Sequence, residues 1–343
     1  MTAHHGGTPT ANVLPLRSDG LKDNHGRLIT YLRLAITDRC NLRCRYCRPE
    51  SGVPFIPHQE ILTFEELERL VHIFTSLGIN KVRVTGGEPF SRRGSLSFLS
   101  RLAEVEGISQ LHVTTNGVKT ARHLDALQDL GLAGMNLSLD TLDRQRFWQI
   151  TRRDFLAPVL ETLHGALARA IPLKINSVVL ADTSDDEIRR LAEFPRHYPL
   201  TLRLIERMPF SGGERSEALG GDDLVQRLGN IFPNLSEETA TLPTTARIFS
   251  IPGFQGKLGV IAGYSRLFCK TCNKLRITPP GMLKNCLYDN GALDLKVLLR
   301  GGADDQEIKA AIVASVGNRF ANGHEAERYC NQEIEPSMSR IGG

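Results

Sequence analysis

From about residue 31 the chain alternates short apolar runs with longer amphipathic stretches. The runs YLRLAIT (31–37), KVRVT (81–85), LHVTT (111–115), GMNLSL (134–139), LKINSVVL (173–180) and LTLRLIE (200–206) have the length and bounded apolar character of strands. Between them, residues 63–78, 95–106, 120–131, 143–150, 155–170 and 185–194 carry apolar side chains at helical spacing. Thr63, with Glu66 three residues later, is a helix-start signal, and Gly78 a stop. Strands that alternate with helices predict a parallel sheet with right-handed crossovers. Six such units are too few for a closed eight-stranded barrel, so the expected α/β fold is an open, partial (βα)6 TIM-type barrel.

Beyond residue 210 the texture changes. SGGERSEALGG (211–221) reads as a Gly/Ser loop, followed by a short helical pattern (222–230) and β-like segments at RIFSI (247–251) and KLGVIAG (257–263). The tail begins helical near residue 303 and ends in Met338-Ser339-Arg340-Ile341-Gly342-Gly343. The expected organisation is a mobile polar leader (1–26), a barrel (27–210) and a carboxy-terminal α+β extension with a double-glycine tail (211–343).

Composition narrows the function classes. With 343 residues, 41% hydrophobic and 23% charged, the chain can bury a sizeable core, which excludes wholesale disorder. A net charge of +4 and only 6% aromatic residues give no reason to expect nucleic acid as a partner. No run reaches the ~18 apolar residues of a membrane helix, and the amino terminus lacks the apolar core of a secretory signal. A cytoplasmic protein is expected, and with it reduced cysteines.

The seven cysteines are the candidate chemistry. Cys40, Cys44 and Cys47 form C-x3-C-x2-C within DRCNLRCRYCRPE, directly after the first strand. Soft thiolates at this spacing suit an iron–sulfur cluster or zinc. A four-iron cubane held by three thiolates keeps one iron open to a small molecule, whereas structural zinc takes four ligands. No histidine lies in the loop, and His58 is eleven residues on. The second set, Cys269, Cys272 and Cys286, lies within CKTCNKLRITPPGMLKNC. It is either another three-thiol cluster or, with Cys330, a closed four-cysteine zinc site. The other polar motifs also fall at strand ends, where α/β barrels keep their chemistry. Gly86-Gly87-Glu88-Pro89 follows the second strand, Thr115-Asn116-Gly117 the third, Ser138 and Asp140 the fourth, and Met208 the sixth.

The first cysteine loop resembles that of the radical S-adenosylmethionine (SAM) enzymes. This resemblance implies that the open iron of a [4Fe–4S] cluster binds SAM and that one electron cleaves it to methionine and a 5′-deoxyadenosyl radical. It places Tyr46 beside the adenine, Gly87 and Glu88 at the SAM amino group, and Ser138 and Met208 among the SAM contacts. The second set, with F-C-x2-C-N-x2-R-x-T, a glycine turn and a third cysteine, resembles the GTP 3′,8-cyclase (molybdenum cofactor biosynthesis protein A) family. The match runs from about Arg33 to the terminal Gly342-Gly343.

That family resemblance implies a second [4Fe–4S] cluster whose vacant iron anchors the purine of GTP. It implies GTP contacts from Arg33, Arg83, Thr114, Lys174, Lys274 and Arg276, and a tail whose Gly342 and Gly343 assist at the barrel mouth. No G-x4-G-K-[ST] loop is present, so arginines and lysines must carry the phosphates. The implied reaction joins C3′ of GTP to C8, giving the precursor of cyclic pyranopterin for molybdenum cofactor biosynthesis. Its implied partners are an external electron donor and a downstream cyclic pyranopterin synthase, and a homodimer is left open. Lys274, Arg48, Arg207, the 211–221 loop and Cys330 depart from the family pattern. Two rivals stand beside this reading: a peptide-modifying radical SAM maturase with an auxiliary cluster, and a non-enzymatic iron–sulfur or zinc electron-carrier module.

Overall fold

A computed structural model describes residues 20–208, 220–239, 245–263, 266, 269–330 and 337–342. The expected alternation is present as β1 (Tyr31–Ala35), β2 (Lys81–Thr85), β3 (Gln110–Thr115), β4 (Gly134–Ser138), β5 (Leu173–Val179) and β6 (Thr201–Glu206). The helices are α1 (Phe64–Ser76), α2 (Ser95–Glu104), α3 (Leu124–Asp129), α4 (Arg144–Thr151), α5 (Leu156–Ala168) and α6 (Asp185–His197). The 120–131 stretch starts as a 3-10 turn, Ala121–His123, before α3. Thr63 caps α1 as the sequence suggests: its hydroxyl accepts from Glu66 N at 3.1 Å while Glu66 accepts from Thr63 N at 2.7 Å.

The strands β1 through β6 lie side by side and parallel. What the sequence does not reveal is how the second half joins them. Helix α7 (Gly221–Ile231) leads to β7 (Ser236–Glu238), β8 (Arg247–Ser250) and β9 (Lys257–Ile261), and β9 pairs in parallel with β6. Then β10 (Lys274–Ile277) pairs in parallel with β1, carrying β11 (Met282–Lys284) and β12 (Leu293–Asp294) on its outer side. The expected extension is therefore not a separate layer but adds strands to both edges of the sheet. The order is β12-β11-β10-β1-β2-β3-β4-β5-β6-β9-β8-β7, antiparallel only toward the two ends. Helices α8 (Leu295–Arg300), α9 (Asp305–Val316), α10 (Gly323–Tyr329) and α11 (Met338–Ile341) complete the chain.

Side-chain alternation divides each strand between two environments. Leu32 and Leu34 of β1, Val82 and Val84 of β2, Met135 and Leu137 of β4, and Leu275 and Ile277 of β10 are fully buried in the main core. Their intervening neighbours, Tyr31 and Arg33, Lys81 and Arg83, Asn136 and Ser138, Lys274 and Arg276, line cavities on the opposite face. One face of the sheet thus holds the fold together against the helices, and the other is polar and lines the cavities.

Residues 20–26, assigned to the leader on sequence, belong to the fold. Leu21 N donates to Leu77 O at 3.0 Å, and the buried Asp23 carboxylate takes Arg27 Nε at 2.6 Å and Arg319 Nη1 at 3.3 Å. Residues 1–19, most of the 211–221 loop and Gly343 lie outside the described residues. No helix among the described residues is long and apolar enough to cross a membrane.

Candidate active site

Two adjoining cavities of about 200 and 380 Å³ share Asn176, Ile205, Met208 and Met338 as lining. The first lies at the carboxy-terminal ends of the parallel strands and is lined by Cys40, Cys44 and Cys47. The loop that carries them is fixed from several sides. Cys47 N donates to Cys44 O at 2.9 Å, and Arg43 N donates to Thr151 O at the end of α4 at 3.0 Å. On the tail side, Met338 N and Ser337 Oγ donate to Cys47 O at 3.2 and 3.0 Å.

Gly86 and Gly87 press against the start of that loop. A Cβ on Gly87 would fall 2.5 Å from Arg39 O, and one on Gly86, whose φ is +154°, 2.5 Å from Thr37 O. Gly87 N and Glu88 N donate to Thr37 O and Arg39 O at 2.7 and 2.8 Å. The two glycines are thus needed for backbone to meet backbone.

Of the SAM residues expected from sequence, Tyr46, Gly87, Ser138 and Met208 line this first cavity. The Tyr46 hydroxyl donates to Asp140 Oδ2 at 2.8 Å, and Asp140 Oδ1 accepts from Val178 N at 2.8 Å. Burial pushes the Asp140 carboxyl up to about 6 despite these donors. Glu88 departs from expectation. It is fully buried, is not part of the lining, and accepts from Asn116 N (2.7 Å), Thr115 Oγ1 (2.9 Å) and Phe90 N (3.1 Å). Its carboxylate braces the end of β3 rather than facing the cavity. Through Asn116, whose side-chain amide donates to Asn41 Oδ1 at 2.7 Å and lies 3.5 Å from Cys40 Sγ, this brace reaches the cysteine loop.

The second cavity is lined by Cys269, Cys272 and Cys286 and by Arg33, Arg83, Lys174, Lys274 and Arg276. Thr114 belongs to the first cavity instead, 3.4 Å from Arg83 Nη1. Sheet register explains why cations gather here. Arg33 pairs with Arg276 of β10 on one side and with Arg83 of β2 on the other, so three arginines stand on one rung. On the next rung Tyr31 pairs with Lys274 and Lys81. Like charges directly opposite one another destabilise a sheet, and burial together with Arg276 pulls the Arg33 guanidinium below its ordinary value. Arg203 of β6 lines the same cavity, and its buried Nε meets no acceptor among the described residues. Arg203 belongs to no sequence motif, and the one signal for it is that it alternates with core leucines on its strand as Arg83 does with valines.

None of the seven cysteines is in a disulfide. Burial raises the thiols of Cys40, Cys44, Cys47 and Cys286, while Lys274 and Arg319 pull Cys272 down against its burial. Arg319 Nη2 approaches Cys272 Sγ at 3.2 Å and Gly323 N approaches Cys269 Sγ at 3.4 Å. Among the described residues no three His, Cys, Asp or Glu side chains close round a single metal ion. Three soft sulfur donors on the wall of each cavity are the donor chemistry of an iron–sulfur cluster, whose irons spread the ligands apart. Cys330, at the end of α10, lines neither cavity.

The chain matches the family models described as radical SAM superfamily (residues 34–194) and Molybdenum Cofactor Synthesis C (residues 200–325). It is 38% identical over 325 residues to a GTP 3′,8-cyclase of Syntrophomonas wolfei, covering 94% of this chain and 99% of that protein. It is 40% identical over 302 residues to molybdenum cofactor biosynthesis protein 1 of Homo sapiens, covering 87% of this chain. It spans about half the length of that human relative, 48%. Among solved structures, Streptococcus suis SuiB bound to S-adenosylmethionine superposes with a TM-score of 0.59 at 16% identity, over 83% of this chain and 68% of that one, a likeness of fold alone. The cysteine loop at the end of β1, the matched carboxy-terminal domain and the near full-length identity agree: the chain belongs to the GTP 3′,8-cyclase family of the radical SAM superfamily.

Proposed function

We propose that this chain converts GTP to 3′,8-cyclo-7,8-dihydroguanosine 5′-triphosphate, the first step toward molybdenum cofactor. In this reading the sheet is a partial (βα)6 barrel, and the first cavity takes SAM beside a [4Fe–4S] cluster on Cys40, Cys44 and Cys47. The second takes GTP beside a [4Fe–4S] cluster on Cys269, Cys272 and Cys286. The observation that carries the reading is the rung Arg276–Arg33–Arg83 in a cavity that adjoins the first cysteine set and is itself lined by the second. So many cations facing one space call for a polyanion, and a nucleoside triphosphate carries about four negative charges.

When bound, the first cluster supplies the electron that splits SAM. The chain's own residues bind and orient. Tyr46, held by Asp140, fixes one wall of the SAM cavity, and Ser138 and Met208 stand on the others. Arg33, Arg83, Lys174, Arg203, Lys274 and Arg276 hold the phosphates, which leaves the ribose directed toward the shared wall at Asn176, Ile205 and Met208. Met338 closes that wall from the tail and helps keep water from the reacting carbon. Lys274 in place of the family's arginine keeps the charge but gives up the bidentate fork. An external reductant and a downstream cyclic pyranopterin synthase complete the proposed sequence.

The test is anaerobic reconstitution with iron and sulfide, followed by incubation with SAM, GTP and dithionite. Formation of the cyclised nucleotide together with 5′-deoxyadenosine is expected. A reconstituted protein that cleaves SAM but leaves GTP intact refutes the substrate assignment.

A further inference from the structure

A third concavity, rich in cations, lies beside the start of the first cysteine loop, with Thr37 and Arg39 in its wall. It is about 520 Å³ and is lined by Arg39, His58, Arg92, Arg93 and Arg300, with Glu65 as its acidic member. Its cations are arranged unevenly. Arg92 is committed inward, donating to Ile36 O and Leu62 O at 2.6 and 2.8 Å and lying over the Phe64 ring at 4.0 Å, and Arg300 is paired with Glu66 at 2.7 Å. Arg39, His58 and Arg93 are exposed.

The neighbouring segment 53–56, which Arg39 joins to the concavity through the Phe55 ring, is held in place. Asp38 Oδ2 accepts from Ile56 N at 2.7 Å, Arg48 donates to Val53 O at 2.8 Å, and Arg340 donates to Pro54 O at 2.9 Å. Between them Phe55, 48% exposed, is stacked by Arg39 at 5.4 Å and by Arg48 at 4.8 Å. Arg48, a departure from the family pattern, is buried and holds this segment. The position is as telling as the charge. Arg39 immediately precedes Cys40, so the concavity adjoins the segment that carries the first thiol set.

We propose that this concavity is the docking surface for a small acidic protein that carries one electron at a time. The inference rests on the functional reading above, in which SAM cleavage consumes one electron per event. Each docked carrier would give up one electron to the centre held by Cys40, Cys44 and Cys47 and leave oxidised by one unit. The exposed Arg39, His58 and Arg93 would steer and register an acidic face, and the exposed Phe55 beside Arg39 would add an apolar contact.

The probe is reduced flavodoxin, tested against the full reconstituted chain. The unaltered protein is expected to bind it at 50 mM salt, with affinity falling about tenfold or more by 300 mM because the contacts are charge–charge. Arg39→Glu with Arg93→Glu, and Arg93→Glu alone, should weaken binding by about tenfold or more and slow flavodoxin-driven 5′-deoxyadenosine formation in proportion. Dithionite-driven formation, which needs no docking, should be unchanged. Arg190→Glu, on the exposed surface of α6 where Arg190 pairs with Asp186, should change neither. Salt-independent affinity, absence of binding by the unaltered chain, or unaltered flavodoxin binding by the double variant would overturn the proposal. Failure of SAM cleavage with dithionite in the unaltered protein would sink the functional reading, and the binding arm would still decide the docking surface.

Discussion

Arg276 Nη1 donates to the carbonyl oxygen of Gly342 at 3.0 Å, tying the penultimate residue to the arginine rung of the second cavity. Gly342 adopts a φ of +88°, and a Cβ there would fall 2.6 Å from Ala35 Cβ and 3.1 Å from Thr85 Cγ2. Only glycine fits between β1 and β2 in this conformation.

Gly342→Ala should therefore displace the end of the tail without unfolding the protein. Since a misplacement of ~1 Å near reacting groups can cost about a hundredfold, cyclised product should fall by that order. SAM cleavage should fall much less, because the loop contacts of Cys44 and Cys47 and of Arg43 with Thr151 do not involve the tail end. The ratio of pterin product to 5′-deoxyadenosine reads this directly, and an unchanged ratio would return the tail to a passive role.

The cysteine sets make a separable prediction about metal. Cys44→Ala should remove about half the iron bound after anaerobic reconstitution and abolish SAM cleavage. Cys272→Ala should remove the other half and spare SAM cleavage. Cys330→Ser, off both cavities, should leave iron content unchanged. Stoichiometric zinc in active protein, lost with Cys330→Ser, would instead establish a closed four-cysteine site.

Much of this architecture is legible in the sequence because its causes are local. The period of apolar residues fixes β1 to β6 and the helices between them, and cysteine spacing fixes both thiol sets. The Thr63–Glu66 cap is legible for the same reason. What escapes are relationships between distant segments. Nothing in KLRI announces that it will lie beside YLRLA, yet that pairing puts Arg276 and Arg33 on one rung. Arg203 is invisible as part of the cavity wall until β6 takes its place in the sheet beside β5. The partners of Glu88 escape for a related reason: Thr115 and Asn116 come from the following strand.

Glu88→Gln tests that bracing role. An amide cannot accept from Asn116 N, Thr115 Oγ1 and Phe90 N together, because one carboxylate oxygen becomes a donor facing a donor. Loss of a buried hydrogen bond of this kind costs about 1–3 kcal/mol, which urea unfolding of the SAM-free protein would register. Unaltered SAM-free stability with weakened SAM binding would restore Glu88 to direct ligand contact.

Among the cations of the second cavity, Arg83 and Arg203 should act on GTP alone. Arg83→Ala is expected to weaken GTP binding by about 1.5–3 kcal/mol, the worth of a hydrogen bond to a charged group, and Arg203→Ala by a similar amount. Iron content should be unchanged in both. Equilibrium dialysis showing native GTP affinity in either variant would remove that residue from the site.

The same cluster of charge predicts how GTP binding responds to pH. Burial lowers Lys174 to about 8, with help from Arg203, Arg83 and Lys81. Burial alone would raise the Tyr31 phenol, but Arg83, Arg33 and Lys274 outweigh it and bring it down to about 7, with Arg83 Nε donating to the phenol oxygen at 2.5 Å. A bound triphosphate stabilises the ammonium of Lys174 and repels a phenolate at Tyr31, so both groups hold their protons more firmly in the complex than in the free protein. Binding above about pH 7 must then take up protons, and affinity should fall as pH rises through 7 and again through 8, by at most tenfold per group for each pH unit. Tyr31→Phe should erase the lower inflection and strengthen binding at pH 8 relative to pH 6.5. Lys174→Gln should weaken binding at pH 7 and erase the upper one. Calorimetric titration in two buffers of different ionisation enthalpy measures the proton uptake itself. A GTP affinity that stays level from pH 7 to 9 in the unaltered protein would show that neither group faces the phosphates.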